Sequence, residues 1–322
     1  MRRWAAALLS GFALATGAAG AAAATEPYPT KTVRLVVGFA AGGPTDIPAR
    51  FIADKLSGIL GRRVVVENKT GAGGMLATRD VLAQEADGHT LLLCTHFESI
   101  NVVMYRNPGF KLSDLAPISL ISKYYYGLTL SPAIPADTFE DFLAYARTHP
   151  GGVSYATIGS GSAQEILARQ LEVLAGIRMT KIPYRSGTQV VQDMIGGRVH
   201  FYVAPTLAVM PYHENRQLKV LAVSSPERLK TAPYVPSLKE KGIDFVRFGW
   251  LGICAPAGTP KPIIDLLNRH IVSIVETPEY RTLIENGGSI PGASTPEDLG
   301  RILVQTVEEV ASTIKEFGMQ QD

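Results

Sequence analysis

The sequence predicts an α/β protein of two domains, each a mostly parallel sheet covered by helices. Three observations lead there. Short apolar runs alternate with longer amphipathic segments from residue 33 to residue 94, the same rhythm resumes near Thr129, and 46% apolar content over 322 residues suffices to fill two cores.

Ahead of the first run, Met1-Arg2-Arg3-Trp4 precedes an Ala- and Leu-rich stretch at 5–19 and the small residues Ala22-Ala23-Ala24 before Thr25. Charge, apolar run and small-residue end follow the order of a secretory signal peptide, so residues 1–24 are expected to be cut off near Ala24 on export to the periplasm. The apolar part is shorter than the ~20 residues of a membrane span, and it is largely Ala and Gly, which argues against a retained anchor. No Cys stands near the cut to take a lipid. Of 31 basic residues cleavage removes Arg2 and Arg3, so the mature chain carries as many basic as acidic residues, 29 of each. That balance makes no case for nucleic acid or anionic lipid as a partner.

The first block reads as strand 33–37, helix 46–60, strand 64–66, helix 76–84 and strand 90–94. Its first helix is well punctuated, with Asp46 as N-cap, Pro48 in the first turn and Gly61 after the end. Phe51, Ile52, Leu56, Ile59 and Leu60 recur at helical spacing and are expected to face the sheet. The second block gives helix 139–147, strand 153–156, helix 163–174, strand 179–183, helix 188–195 and strands 201–203 and 219–224. After Trp250 come one strand, 251–255, and helices at 261–276, 278–286 and 296–316. That tail is too poor in strands for a sheet of its own. Residues 25–127 and 250–322 are therefore expected to form a discontinuous domain 1, with 128–249 inserted as domain 2. Cys94 and Cys254 each lie in a strand-like apolar run; an oxidising compartment permits a disulfide, but two buried free thiols are the expectation.

The strongest local signal is Gly38-Phe39-Ala40-Ala41-Gly42-Gly43-Pro44-Thr45-Asp46, between the first strand and its helix. Glycines let backbone N–H groups approach a ligand and the helix start adds partial positive charge, so the loop suits an anion such as a carboxylate. The second block carries a matching loop, residues 155–164, with Gly159-Ser160-Gly161-Ser162 ahead of its own helix. One such opening per domain suggests a ligand gripped from both sides of a cleft. A third cluster, residues 68–75, reads equally as a ligand loop or a tight strand-to-helix connection, with the structural role expected. His96, Phe97 and Glu98 follow a strand at the carboxyl edge where α/β ligands bind, so Phe97 could supply a wall and His96 or Glu98 a polar contact, the alternative being a solvated loop. Arg185 could meet a carboxylate or be a surface residue. No P-loop, third dinucleotide glycine, nucleophile elbow or C-x-x-C occurs, and His213-Glu214 lacks the second His of H-E-x-x-H. No catalytic residue, metal or cofactor is expected.

These motifs resemble the receptor family of tripartite tricarboxylate transporters, the Bug-type extracytoplasmic solute receptors. The resemblance rests on residues 39–50, 66–74, 86–91 and 159–162, and continues through 183–187, 193–199, 221–223, 235–237 and 255–261, in order along the whole mature chain. It implies a periplasmic binding protein (Venus-flytrap) fold, and capture of a small carboxylate by a monomeric receptor for the membrane subunits of a transporter. The implied grip is by backbone amides and bridging waters. Carried over, it points to Phe39, Ala41, Gly43 and Asp46 in domain 1 and to Gly159, Gly161 and Ser162 in domain 2; Thr45, in the same loop, is expected at the site with them. Three positions depart from the family pattern. Gly38 replaces a usual Pro, His200 a frequent Asp, and Glu165 a common His. Glu165 is either ordinary first-turn electrostatics or a cleft residue that would repel a second carboxylate and welcome an amine, a hydroxyl or a neutral ring. A sensor role, or a periplasmic α/β enzyme, is the alternative to transport.

Overall fold

A computed structural model describes residues 28–158 and 162–317. The expected leader and the loop residues Gly159, Ser160 and Gly161 lie outside the described residues. The chain runs β1 (Val33–Val37), α1 (Asp46–Leu60), β2 (Val64–Asn68), α2 (Met75–Leu82), β3 (Thr90–Thr95), α3 (His96–Met104) and β4 (Leu115–Leu130). It continues through α4 (Phe139–Thr148), β5 (Ser154–Thr157), α5 (Ala163–Ala175), β6 (Thr180–Pro183), α6 (Gly187–Ile195), β7 (Phe201–Pro205), α7 (Thr206–Glu214) and β8 (Lys219–Val223). It ends with β9 (Phe248–Pro256), α8 (Lys261–Val275), α9 (Pro278–Asn286), β10 (Ser289–Pro291) and α10 (Pro296–Phe317).

The expected helix from Asp46 stands, though Thr45 and not Asp46 takes the N-cap position, and it stops where Gly61 takes the left-handed conformation (φ 66°), which costs a residue without Cβ little. The sheets differ from expectation. They are parallel at either end, β2-β1-β3 and β7-β5-β6, but antiparallel in the middle, where β4 and β9 run beside each other. Residues 115–125 of β4 pair with β9, and residues 126–130 pair with β7. β4 escaped the sequence reading because it is buried almost throughout, so no alternation of apolar and polar residues marks it. α7 escaped because its apolar residues are spread around it and Pro211 lies inside it. His96-Phe97-Glu98, read as ligand contacts or a solvated loop, form the first turn of α3: the Thr95 side chain accepts from Phe97 N, and Glu98 Oε2 accepts from Thr95 N at 2.6 Å, a capping box.

The free-thiol expectation is wrong. Cys94 on β3 and Cys254 on the neighbouring antiparallel β9 form a disulfide, with Cα atoms 5.9 Å apart. The two residues are 160 positions apart, and only the pairing of these strands brings them together.

A candidate carboxylate site at five helix N-termini

The loop after β1 is fastened before anything can bind to it. The Asp46 carboxylate, 1% exposed, accepts from Gly42 N (2.8 Å) and Arg50 Nε (2.7 Å) on one oxygen and from Asn68 Nδ2 (2.8 Å) on the other. Asn68 Nδ2 also donates to the carbonyl of Phe39. Burial works to raise the Asp46 pKa, but the bonds from Arg50, Gly42 and Asn68 outweigh it and hold the carboxyl below the usual range. A depressed folded-state pKa stabilises the fold above the unfolded pKa, and that contribution is lost as pH falls through the folded value. Asp46→Ala is therefore expected to cost about 2–3 kcal/mol at pH 7, and less in acid below about pH 4, as followed by urea denaturation at several pH values. A cost that does not change with pH would show that the charge is not what holds the loop. Gly38 completes this corner: a Cβ there would lie 2.8 Å from Gly74 Cα, so the chains touch backbone to backbone where relatives are expected to carry Pro.

Against this loop lies a narrow cavity of about 50 Å³, room for a few waters. Five helices begin at it. Thr45 stands at the N-cap position of α1 without a side-chain cap bond, Thr95 caps α3, Ser186 caps α6 and Pro205 precedes α7, while Gln164 stands in the first turn of α5; all five line the cavity. Their N-termini present partial positive charge, and no charged side chain lines the space among the described residues. The walls are apolar and aromatic: Phe39, Phe97, Ile158, Tyr124 and Tyr202. Two residues of the lining, Thr45 and Gln164, 7% and 1% exposed, carry a buried oxygen, Oγ1 and Oε1, that finds no hydrogen-bond partner among the described residues.

Of the expected site residues, Phe39, Gly43, Thr45 and Phe97 line the cavity together. Ala41, Asp46, His96, Ser162 and Glu165 do not, and Gly159 and Gly161 lie outside the described residues. Ser162 caps α5, accepting from Glu165 N at 3.4 Å, and Glu165 pairs with Lys181 Nζ at 2.8 Å. His96 lies behind the wall and borders a separate cavity of about 650 Å³. Tyr124 OH lies 3.3 Å from its Nδ1 and Tyr126 OH 3.1 Å from its Nε2, and burial drives its pKa down to about 3. It is a neutral ring that holds two tyrosines in place. Glu98, pushed up by burial against the bonds it accepts from Thr95 and Thr78, serves the capping box. The sequence reading missed Gln164, Thr95, Tyr124, Tyr202 and Pro205 as a set. The hydroxyl-rich opening before α5 offered a local signal for Gln164, and the run Tyr124-Tyr125-Tyr126 offered one for Tyr124, whose expected role was packing. The third glycine cluster, expected to be structural, borders a second, outer cavity of about 370 Å³ that shares Phe39 and Ile158 with the first and carries Arg185 at its edge.

Residues 48–319 match the tripartite tricarboxylate transporter family receptor. The chain belongs to this family. Similar solved structures include the periplasmic binding protein BugD (30% identical, 92% of this chain and 100% of that one, TM-score 0.88). A Rhodopseudomonas palustris protein solved with adipate is 28% identical, with 91% and 99% covered and a TM-score of 0.88. MatC from Rhodopseudomonas palustris, solved with bound malate, is 26% identical, with 89% and 100% covered and a TM-score of 0.83. The tricarboxylate-transporter receptor thus has the periplasmic binding protein fold that its motifs imply. Among its described residues no helix is long and apolar enough to cross a membrane.

Proposed function

We propose that this receptor works in the periplasm, closes over a small carboxylate and presents it, chemically unchanged, to the membrane subunits of a tripartite transporter. The observation that carries the reading is the convergence of five helix N-termini on a cavity that no charged side chain lines among the described residues. Backbone amides at helix starts hold an anion without a counter-charged side chain, and a low-dielectric wall strengthens them. Relatives bound to adipate and to malate support the same chemistry.

Closure follows from how the chain crosses between sheets. The two halves of the cavity wall come from residues 39–45 and 95–97 on one side and from 158–208 on the other. β4 changes partners at Tyr126, and β9 returns from Phe248. These crossings support a domain 1 of residues 25–127 with 250–322 and an inserted domain 2 of 128–249, hinged at the two strands. Because the cavity is narrow, the lips must part to admit a ligand and shut on it. We infer a monomer with a leader cut near Ala24.

A thermal-shift screen of the chain from Thr25 against dicarboxylates, tricarboxylates, amino acids and aromatic acids tests this. A ligand that binds only the folded state stabilises it by about 2.7 kcal/mol at 100 times its dissociation constant. A selective shift with ligand recovered intact is expected. No shift with any acid would remove the carboxylate assignment, and a transformed ligand would make the protein an enzyme.

A further inference from the structure

Resting on the two-domain closure proposed above, we infer that a clasp of apolar side chains behind the ligand cavity holds the receptor shut even without ligand, and that the far end of the C-terminal helix is part of it. Among the described residues, Phe97, Ile100 and Met104 on α3, Ala163 and Ile166 on α5 and Ile314 on α10 form a buried cluster apart from the main core, none of them more than 5% exposed. α3 and α10 belong to the proposed domain 1 and α5 to the inserted domain 2. The cluster therefore spans the division instead of filling either side of it.

Each helix that reaches across also packs within its own domain. α5 lies against β5 and β7 and buries Ala168, Leu171 and Ala175 in the main core, whereas Ala163 and Ile166 in its first turn meet α3 and α10. α10 buries Leu299 and Leu303 with Trp250 of β9, in domain 1. Ile314 stands about 16 Å further along the same helix, at 1.5 Å per residue, where α10 has left that packing and reached α5. Of the six, only Phe97 also lines the ligand cavity, and Gln164 lines it from the same turn of α5. Parting the domains would carry Ala163 and Ile166 away from the other four and wet both faces. The hydrophobic effect opposes that whether or not a carboxylate is bound. Ile166 and Ile314 thus set affinity without lining the cavity, through the fraction of receptor that is already closed.

Small-angle scattering of the ligand-free chain from Thr25 tests the clasp directly. Ile166→Ala and Ile314→Ser are expected to enlarge the radius of gyration. Ile271→Ala, an equally buried truncation on α8 within domain 1, is expected to lower the urea midpoint and leave the radius as it is. Ile314 lies close to the chain's end, so its variant serves if Ile166→Ala does not fold. Calorimetry with malate and adipate reads the second consequence: an acid that binds the wild type is expected to bind each clasp variant at least about tenfold more weakly, and Ile271→Ala as tightly as before. Equal radii for wild type and clasp variants overturn the proposal. If all are compact, the hinge falls with it; if all are extended, the hinge stands and the clasp does not hold it. Larger radii with unchanged affinity, or an equal loss in Ile271→Ala, overturn the clasp's part in affinity. If no carboxylate of the wider screen binds, the function falls and the radii alone decide the clasp.

Discussion

Reducing the Cys94–Cys254 disulfide is expected to lower stability by about 5 kcal/mol if the loss is the loop-closure entropy of a ring this long. The bond joins residues 160 positions apart, so it removes many conformations from the unfolded chain. It also ties β3 to β9, the strand that runs beside β4, and β4 passes from one sheet into the other. Guanidinium denaturation of the oxidised protein and of a Cys94→Ala/Cys254→Ala double variant measures the effect. The two cysteines are fully buried, so the variant also loses some packing, and a Cys94→Ser/Cys254→Ser pair bounds that contribution. Equal midpoints for oxidised and bond-free protein would mean that strand pairing alone holds this region in both the folded and the unfolded ensembles.

Gly249→Ala is expected to abolish ligand binding, by about 100-fold or more in affinity, because a misplaced wall group in a closed site costs several hydrogen bonds at once. Gly249 on β9 lies opposite Tyr124 on β4, and the Tyr124 ring rests directly on it. A methyl group there would overlap the ring. Tyr124 cannot retreat, since His96 and Tyr126 pack edge-on against it, so it must move towards the cavity that it lines. The cavity is narrow, so a displaced phenol ring takes up room the ligand needs. Calorimetry with the ligand found for the wild type is the measurement, and circular dichroism establishes that the variant is folded. Wild-type affinity in a folded Gly249→Ala protein would remove Tyr124 from the wall of the site.

How much of this was legible depends on how local each signal is. The start and stop of α1 were readable from Asp46, Pro48 and Gly61, because caps and turns act within a few residues. The role of Asp46 was not. It reads as a ligand residue, yet its two oxygens are spent on Gly42, Arg50 and Asn68, and Asn68 is 22 positions away across β2. His96 likewise reads as a polar contact at a strand end, and becomes a neutral ring once β4 lays Tyr124 and Tyr126 over both its nitrogens. The Cys94–Cys254 bond has the same character, since nothing within either strand marks its partner.

The sequence by itself determined where helices such as α1 and α5 begin, which loops are open enough for backbone amides to meet an anion, and the family through which such loops grip a carboxylate. Tertiary structure decided that the starts of α1, α3, α5, α6 and α7 meet at one cavity, and that Gln164 and Thr45, in its lining, each keep a buried oxygen without a partner among the described residues. The physical reason is range. Capping and turn preferences are free energies of adjacent residues and are written into local composition, whereas the meeting of Thr45 with Gln164 depends on the path of every strand between them. A buried oxygen becomes conspicuous only when the chain has closed around it and offered it nothing.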